Sequence, residues 1–445
     1  MKRLSLAVVA ASLALGLFCS SSANAQEFRA RQDRMCAMLK AKFDTVLPKV
    51  MRENHIDMWI IAVREGAIDQ NTAMFPPAYT PLYGYYVFTD RGGARIERVV
   101  IRSMGEELEH CGAFDKVHVT QDIHSFVAER DPKAIGIDVA TEIGAADGLS
   151  HSMYEKLVKD LGSPYAARLV SAEKLVSEYR SLQTPEEIEA YSQAGRYSRD
   201  IAEEAFSNKV ITPGKTTLRQ VSDWMADQLL KHGLGDSFDI PNVGLQRQGV
   251  QARADSDDTV IEPGDLINVD WGVGYLNKWT DMKRTAYILK PGETAVPPGI
   301  QHAFDLAVAV RETLAKTIKP GGTGADMLVK VNQVVGAMPG YKTLSLENPA
   351  AGMPGPGDSS TSVLIGCHST GDLGHGSGAS VISWPLRKSY VLRPTQSLVS
   401  EFFTTTPVPE WGGQRVTMAL EDDTILTDDG VRFVYPPIAH ILLVH

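Results

Sequence analysis

Two aspartates, Asp270 and Asp281, lie eleven residues apart in the string INVDWGVGYLNKWTDMKRT at 267–285, which reads as the two arms of one β-hairpin. A hairpin centred between Tyr275 and Leu276 pairs residues whose numbers sum to 551. Asp270 then falls directly opposite Asp281, with both side chains on one face of the ladder. Like charges so placed repel, and a divalent cation held between them is the economical compensation. Taken alone, the pair is equally compatible with a solvated hairpin whose acids face water.

The segment GCHSTGDLGHGSG (366–378) adds His368 and His375, and Glu401 and Glu421 follow in the same half of the chain. With these residues in place, the order Asp, Asp, His, Glu, Glu resembles the metal-ligand series of the pita-bread (M24) metallopeptidases, the family of methionine aminopeptidase, aminopeptidase P and prolidase. Local contexts agree: DWG resembles D-[FYW]-G, TDMKRT resembles S-D-x-x-R-T, and ALEDDTILTDDG resembles I-E-D-x-x-x-V-T-x-x-G. The resemblance runs from about Ser181 to the end. More weakly, MRENHIDMWIIAVRE (51–65) resembles the opening of the creatinase-type N-terminal domain found in aminopeptidase P and prolidase. The implied fold is α/β (α+β), a C-terminal pita-bread catalytic domain preceded by a creatinase-type N-terminal α/β domain.

Carried onto this chain, the resemblance implies that Asp270 chelates one ion and that Asp281 and Glu421 bridge two. His368 and Glu401 complete the other. Mostly oxygen ligands with one imidazole suit Mn²⁺, Co²⁺, Fe²⁺ or Zn²⁺, and affinity order alone does not choose among them. Two such ions sharing a water lower its pKa towards ~7 and supply a hydroxide that attacks an amide carbonyl. His375 then acts as the catalytic imidazole, stabilising the oxyanion or positioning the substrate. The seven-residue spacing from His368 to His375 matches the family's H-G-x-G-x-x-x-H, with Gly371 at the second glycine. In the other register, HGSG makes His375 the ligand and leaves Ile382 in the second histidine position.

Some positions depart from the family. Arg253 stands near where a substrate-contacting histidine is expected, Ala419 stands where aminopeptidase P and prolidase carry an arginine, and Glu401 lies in VSEFF instead of V-E-P-G. Arg253 is therefore a candidate substrate-binding residue for a carboxylate or phosphate, or else a surface salt-bridge partner. Of the acids after Glu421, Asp422 and Asp423 are expected to face solvent or the other side of the strand. The reading is an exported dinuclear metallohydrolase, an Xaa-Pro aminopeptidase or prolidase-like enzyme acting on short peptides. Two alternatives stay open: a non-peptidase C–N hydrolase on the same fold, and a catalytically silent binding protein.

The elements that must position these residues can also be read. Lys2, Arg3, an apolar run from Leu4 to Phe18 and Ala23-Asn24-Ala25 match a secretory signal peptide at 1–25, placing the mature chain in the periplasm or outside the cell. From Gln26 to Tyr179, runs such as MWIIAV (58–63), YYVFT (85–89), RVVIR (98–102) and AIGIDV (134–139) alternate with helical stretches, an α/β pattern. Thr184-Pro185-Glu186-Glu187 is a helix start, which puts the domain boundary near Leu182, giving domains 26–181 and 182–445. Further helices are expected over 218–232 and 299–316. The Gly/Pro-rich stretch 347–361 is expected to be irregular, a surface excursion or a cover for the site.

Removing Lys2 and Arg3 from 44 basic residues leaves 42 against 54 acidic, a charge of −12 that argues against nucleic acid as a partner. No stretch after the leader reaches the ~20 apolar residues a membrane span needs. The partners implied are a short peptide and a second copy of the chain in a homodimer. Three cysteines remain in the mature chain, Cys36, Cys111 and Cys367. Export permits one disulfide, Cys36–Cys111 being one option, with Cys367 a buried thiol.

Overall fold

In a computed structural model, residues 20–66, 69–250, 254–255, 257–345, 354–355, 357–382 and 387–445 are described. The apolar runs of the N-terminal part form one six-stranded sheet. Its order is Lys116–Val119, Ile96–Ile101, Tyr83–Asp90, Met58–Arg64, Ile135–Ile137 and Leu169–Ser171. Met58–Val63 is apolar without interruption because both faces of the sheet are covered, and the strand ends in the exposed Arg64. Met58, Ile60 and Ala62 pack with Phe126 and Leu157, whereas Trp59, Ile61 and Val63 pack with Phe43 and Tyr179. Phe43 belongs to the helix Ser20–Glu53, which a Cys36–Cys111 disulfide ties to the helix Glu106–Cys111. Cys367 is free and buried.

Helix starts in the second half follow local chemistry. Thr184 and Glu187 form a reciprocal capping box on the helix Pro185–Ala205, with Pro185 in the first turn, where its missing N–H costs nothing. Thr217 and Gln220 repeat the device on Leu218–His232, which Gly233 closes at φ 59°. These two helices pack on a sheet ordered Leu442–Val444, Met282–Ile288, Leu266–Trp271, Asn242–Gln246, Ala254–Asp255. A second helical pair, Pro298–Thr317 and Gly324–Gly336, packs on the sheet Tyr341–Thr343, Thr361–Cys367, Phe402–Pro407, Arg415–Leu420. The two sheets meet where the Lys283 amide donates to the Glu421 carbonyl at 3.1 Å, and that seam carries the acidic residues.

The hairpin register differs from the expected one. Tyr275 pairs with Lys278 and Trp271 with Met282, so paired numbers sum to 553 and Asp270 opposes Lys283, not Asp281. The turn residues are Leu276 and Asn277, at φ 51° and 61°, the two positive angles of a primed two-residue turn. Asp281 lies two residues from Lys283, so it shares a face with Asp270 on the diagonal. Residues 346–353 and 356, most of the stretch expected to be irregular, lie outside the described residues, as does Arg253. Among the described residues no helix is long and apolar enough to cross a membrane.

The Cys36–Cys111 cross-link closes a loop of 75 residues in sequence separation. Replacing both cysteines by serine should destabilise the protein by about 2–5 kcal/mol. A lowered urea midpoint would show this, and an unchanged midpoint would mean that the bond does not constrain the mature protein.

Candidate metal centre

Each acidic side chain reaches the seam from a different strand or strand end. Asp270 is near the end of Leu266–Trp271 and Asp281 immediately precedes Met282–Ile288. Glu421 follows Arg415–Leu420, and Glu401 precedes Phe402–Pro407. His368 follows Thr361–Cys367 and exchanges backbone hydrogen bonds with Val399. Gly366 makes room for Glu401, because a Cβ there would stand 2.9 Å from Glu401 Oε2. The structure thus brings together Asp270, Asp281, His368, Glu401 and Glu421, residues up to 151 positions apart (270 to 421).

Their donor atoms fall into two trios that share Glu421: Asp281, His368 and Glu421, and Asp270, Glu401 and Glu421. In the first, His368 Nε2 is 3.4 Å from both Asp281 Oδ2 and Glu421 Oε1, and 3.7 Å from Glu401 Oε2. Asp281 Oδ1 and Glu421 Oε1 are buried with no hydrogen-bond partner. Buried carboxylate oxygens left without a donor are costly, and a cation among them removes the cost. The donor set, two carboxylates and an imidazole, fits a divalent transition ion.

The second trio is arranged differently. Lys283 Nζ lies 2.9 Å from Asp270 Oδ2 and 2.8 Å from Glu401 Oε1, and it also bonds Glu421 Oε2. Burial works against its charge, but Glu421, Glu401 and Asp270 outweigh that and hold the ammonium's pKa well above the ordinary lysine value. This lysine is the residue that sequence reasoning missed. The signal was the turn: placing it at Leu276-Asn277 would have set Lys283 opposite Asp270. Glu401, expected beside His368, does keep its Oε2 3.7 Å from His368 Nε2, while its Oε1 bonds this ammonium; Glu421 is common to both trios. Ala419, which stands in place of the family's arginine, pairs with Phe403, whose ring lies 5.4 Å from Lys283 Nζ.

Asp422 and Asp423 do not face solvent; they are 1% and 0% exposed. Asp422 pairs with the buried Arg284 at 3.0 Å. Asp423 accepts from the Asp281 amide at 2.9 Å and from the hydroxyls of Tyr191 and Tyr435, so it fixes the backbone that presents Asp281. Sequence spacing could not reveal this, because Tyr191 sits on a helix 232 residues away.

His375 lies at the outer edge of the cluster. Its Nε2 is 3.1 Å from Asp281 Oδ2, its ring centre is 5.2 Å from that of His368, and the half-exposed Phe238 ring lies 4.7 Å away. Burial pushes Asp281 up to about 7, aided by the charge of Asp270. Burial, then the neighbouring His368, pushes His375 down to about 4. Burial also works against charge on His368, but Glu421, Asp281 and Glu401 overcome it and raise the imidazole to about 9.

Comparison with known proteins agrees with this geometry. Residues 189–428, more than half of the chain, match metallopeptidase family M24. The chain belongs to this family. An uncharacterised peptidase of Bacillus subtilis is 25% identical over 290 residues, covering 64% of this chain and 69% of that one. An Xaa-Pro dipeptidase of Pyrococcus furiosus is 23% identical over 296 residues, covering 65% and 72%. In fold, an X-Pro aminopeptidase from Thermotoga maritima superposes with a TM-score of 0.61 at 18% identity, over 89% of this chain and all (100%) of that one. An Xaa-Pro dipeptidase from Bacillus anthracis gives 0.59 at 17% identity, over 92% and 99%. As a family M24 member the chain is a metal-dependent hydrolase, and its mixed α/β architecture is that of these structures.

An imidazole must lose its proton to bind a metal. In the metal-free protein at pH 7.5, His368 should be protonated and His375 neutral, with histidine NMR titrations centred near 9 and 4. Adding Zn²⁺ should strip the proton from His368 and abolish its titration. Loss of the His375 titration instead would move the ligand role to His375.

Proposed function

We propose that this M24 peptidase is exported and cleaves short peptides at a bond next to proline, in the manner of an Xaa-Pro aminopeptidase or prolidase. The observation that carries the reading is the buried Asp281–His368–Glu421 trio with its two unpartnered carboxylate oxygens. A bound divalent ion supplies Lewis acidity towards an amide carbonyl and acidifies a coordinated water towards a pKa of ~7. Asp281, His368 and Glu421 would hold it, with Glu401 Oε2 in reach. By donor count alone the five side chains suffice for two ions. Lys283 already fills one trio, so the ion count turns on that lysine.

The chain's own residues then divide the remaining work. Asp423, Tyr191 and Tyr435 lock the peptide unit of Asp281, so its carboxylate is presented in one orientation. His375, neutral near pH 7 and 32% exposed, carries one N–H donor and one acceptor nitrogen, its Nε2 lying 3.1 Å from Asp281 Oδ2. It is placed to hydrogen-bond a substrate carbonyl oxygen or to pass a proton to the departing nitrogen. Phe238 beside it offers an apolar surface on which a proline ring can rest.

Proline dependence is supported by the names of the relatives, Xaa-Pro dipeptidase among them. Export is supported by the leader-like N-terminus and by the Cys36–Cys111 bond, which an oxidising compartment maintains. Homodimer assembly and a preference of Arg253 for an anionic substrate group belong to the same proposal and rest on the family resemblance and on charge.

Purified mature protein with Mn²⁺ should hydrolyse Xaa-Pro peptides faster than matched peptides with alanine in place of proline, and a chelator should abolish this. His375→Ala should retain the ion and lose ~10² to 10⁴ in kcat. If the folded, metal-loaded protein cleaves neither peptide set, the silent binding protein becomes the better reading.

A further inference from the structure

We infer that Lys283 stands in for a second divalent ion, so that the centre works with one metal ion and one built-in ammonium. The inference rests on the peptidase reading above and narrows its metal content.

The two trios differ in one respect that decides the matter. Every member of the Asp270–Glu401–Glu421 trio already bonds a cation: the Lys283 ammonium touches Asp270 Oδ2, Glu401 Oε1 and Glu421 Oε2. The Asp281–His368–Glu421 trio is not bonded by the ammonium in this way: its charge partner is the His368 imidazole, 3.4 Å from Asp281 Oδ2 and Glu421 Oε1, which can give up its proton to a metal, and Asp281 Oδ1 and Glu421 Oε1 are buried without a hydrogen bond. Asp281 is 4% exposed and Glu421 1%. One trio is therefore satisfied and the other is not, although both draw on Glu421.

Lys283 has nowhere else to place its charge. The residue is 3% exposed, and its stem lies on the all-buried strand Met282–Ile288 with Nζ near the Phe403 ring. Moving the ammonium aside to admit a second ion would leave a buried charge beside a divalent cation, which combines desolvation with repulsion. Charge balance leads to the same result. Four carboxylates carry −4, and one divalent ion with one ammonium supplies +3. The remaining unit is borne most easily by Asp270, whose side chain is 32% exposed.

The lysine is also fixed by the backbone that makes the cluster. Its amide donates to the Glu421 carbonyl at 3.1 Å, and its strand pairs it with Asp270. The ammonium therefore moves with the two carboxylates it bonds. It acts as a positioning residue, holding Glu421 and Glu401 so that their other oxygens face the single ion.

Metal content tests this directly. Mature protein freed of metal and then saturated with Mn²⁺ should retain about one ion per chain after gel filtration, with the EPR spectrum of an isolated Mn²⁺. In Lys283→Met, which keeps the stem and removes the charge, the count should rise to about two, with the broadened spectrum of a coupled pair. Two ions per wild-type chain, or a coupled pair in its spectrum, would overturn the inference even if Lys283→Met fails to fold. An unchanged count in folded Lys283→Met would also overturn it. The peptidase reading fails separately. Two ions with peptide cleavage sinks only the lysine assignment, whereas one ion without cleavage upholds the lysine and sinks the peptidase reading. No bound ion sinks both.

Discussion

Four carboxylates crowded into a water-poor seam between two sheets are the constraint on which the C-terminal half depends. Burying one ionised carboxylate is expensive, and gathering four into two overlapping clusters, the donor atoms of each within 4.8 Å of one another, is tolerable only with cations among them. The chain meets the constraint partly from its own sequence, with Lys283 bonding three of the four and His368 beside the fourth. It also spends polar groups on orientation: Asp423 accepts from the Asp281 amide and two tyrosines, and Asp422 is neutralised by Arg284. The acidic seam is thus enclosed by a second layer of buried polar residues, each with a specific task.

A second buried ion cluster ties the helix Ser20–Glu53 of the N-terminal half to this seam. Glu187, whose other oxygen caps its own helix, bonds Lys42 at 3.0 Å and Lys278 at 2.6 Å, and both lysines also bond Asp372. Lys42 lies on the helix Ser20–Glu53, Lys278 on the hairpin and Asp372 between His368 and His375. Arg180 reinforces the joint by donating to the carbonyls of Asp372 and Leu373 and to Ser377 Oγ. The Gly-rich segment that presents both imidazoles is therefore anchored to residues of the N-terminal half. Removing one partner from such a cluster leaves an uncompensated buried charge, so the joint is costly to open. Residues of the N-terminal half consequently help to position the segment that carries His375.

The two histidines show how environment separates chemically identical groups. His368 is surrounded by carboxylates that outweigh its burial, whereas His375, one ring further out, is governed by burial and by its proximity to His368. Like groups whose surroundings push their pKa values apart are suited to different tasks, one to bind a cation and the other to exchange hydrogen bonds at the opening. The Phe238 ring, 41% exposed, lies beside His375 and gives that imidazole an apolar neighbour at the surface.

Much of the architecture was legible in the chain because its causes are local. The helix start at Thr184–Glu187, the helix at 218–232 and the apolar run at 58–63 are each decided by residues within a few positions of one another. The family-like contexts around Asp270, Asp281, His368, Glu401 and Glu421 likewise identified which residues to bring together. What the sequence left undetermined was the partnership among them. A register error of one position in a turn, at Leu276-Asn277 instead of Tyr275-Leu276, exchanged Asp281 for Lys283 as the residue opposite Asp270. Strands joined 138 residues apart then decided that this lysine bonds Glu421 and that Asp422 faces Arg284 instead of water. Spacing along the chain reports which side chains share a face, but pairing between distant strands decides which opposite charges meet, and in a buried seam that pairing sets the chemistry.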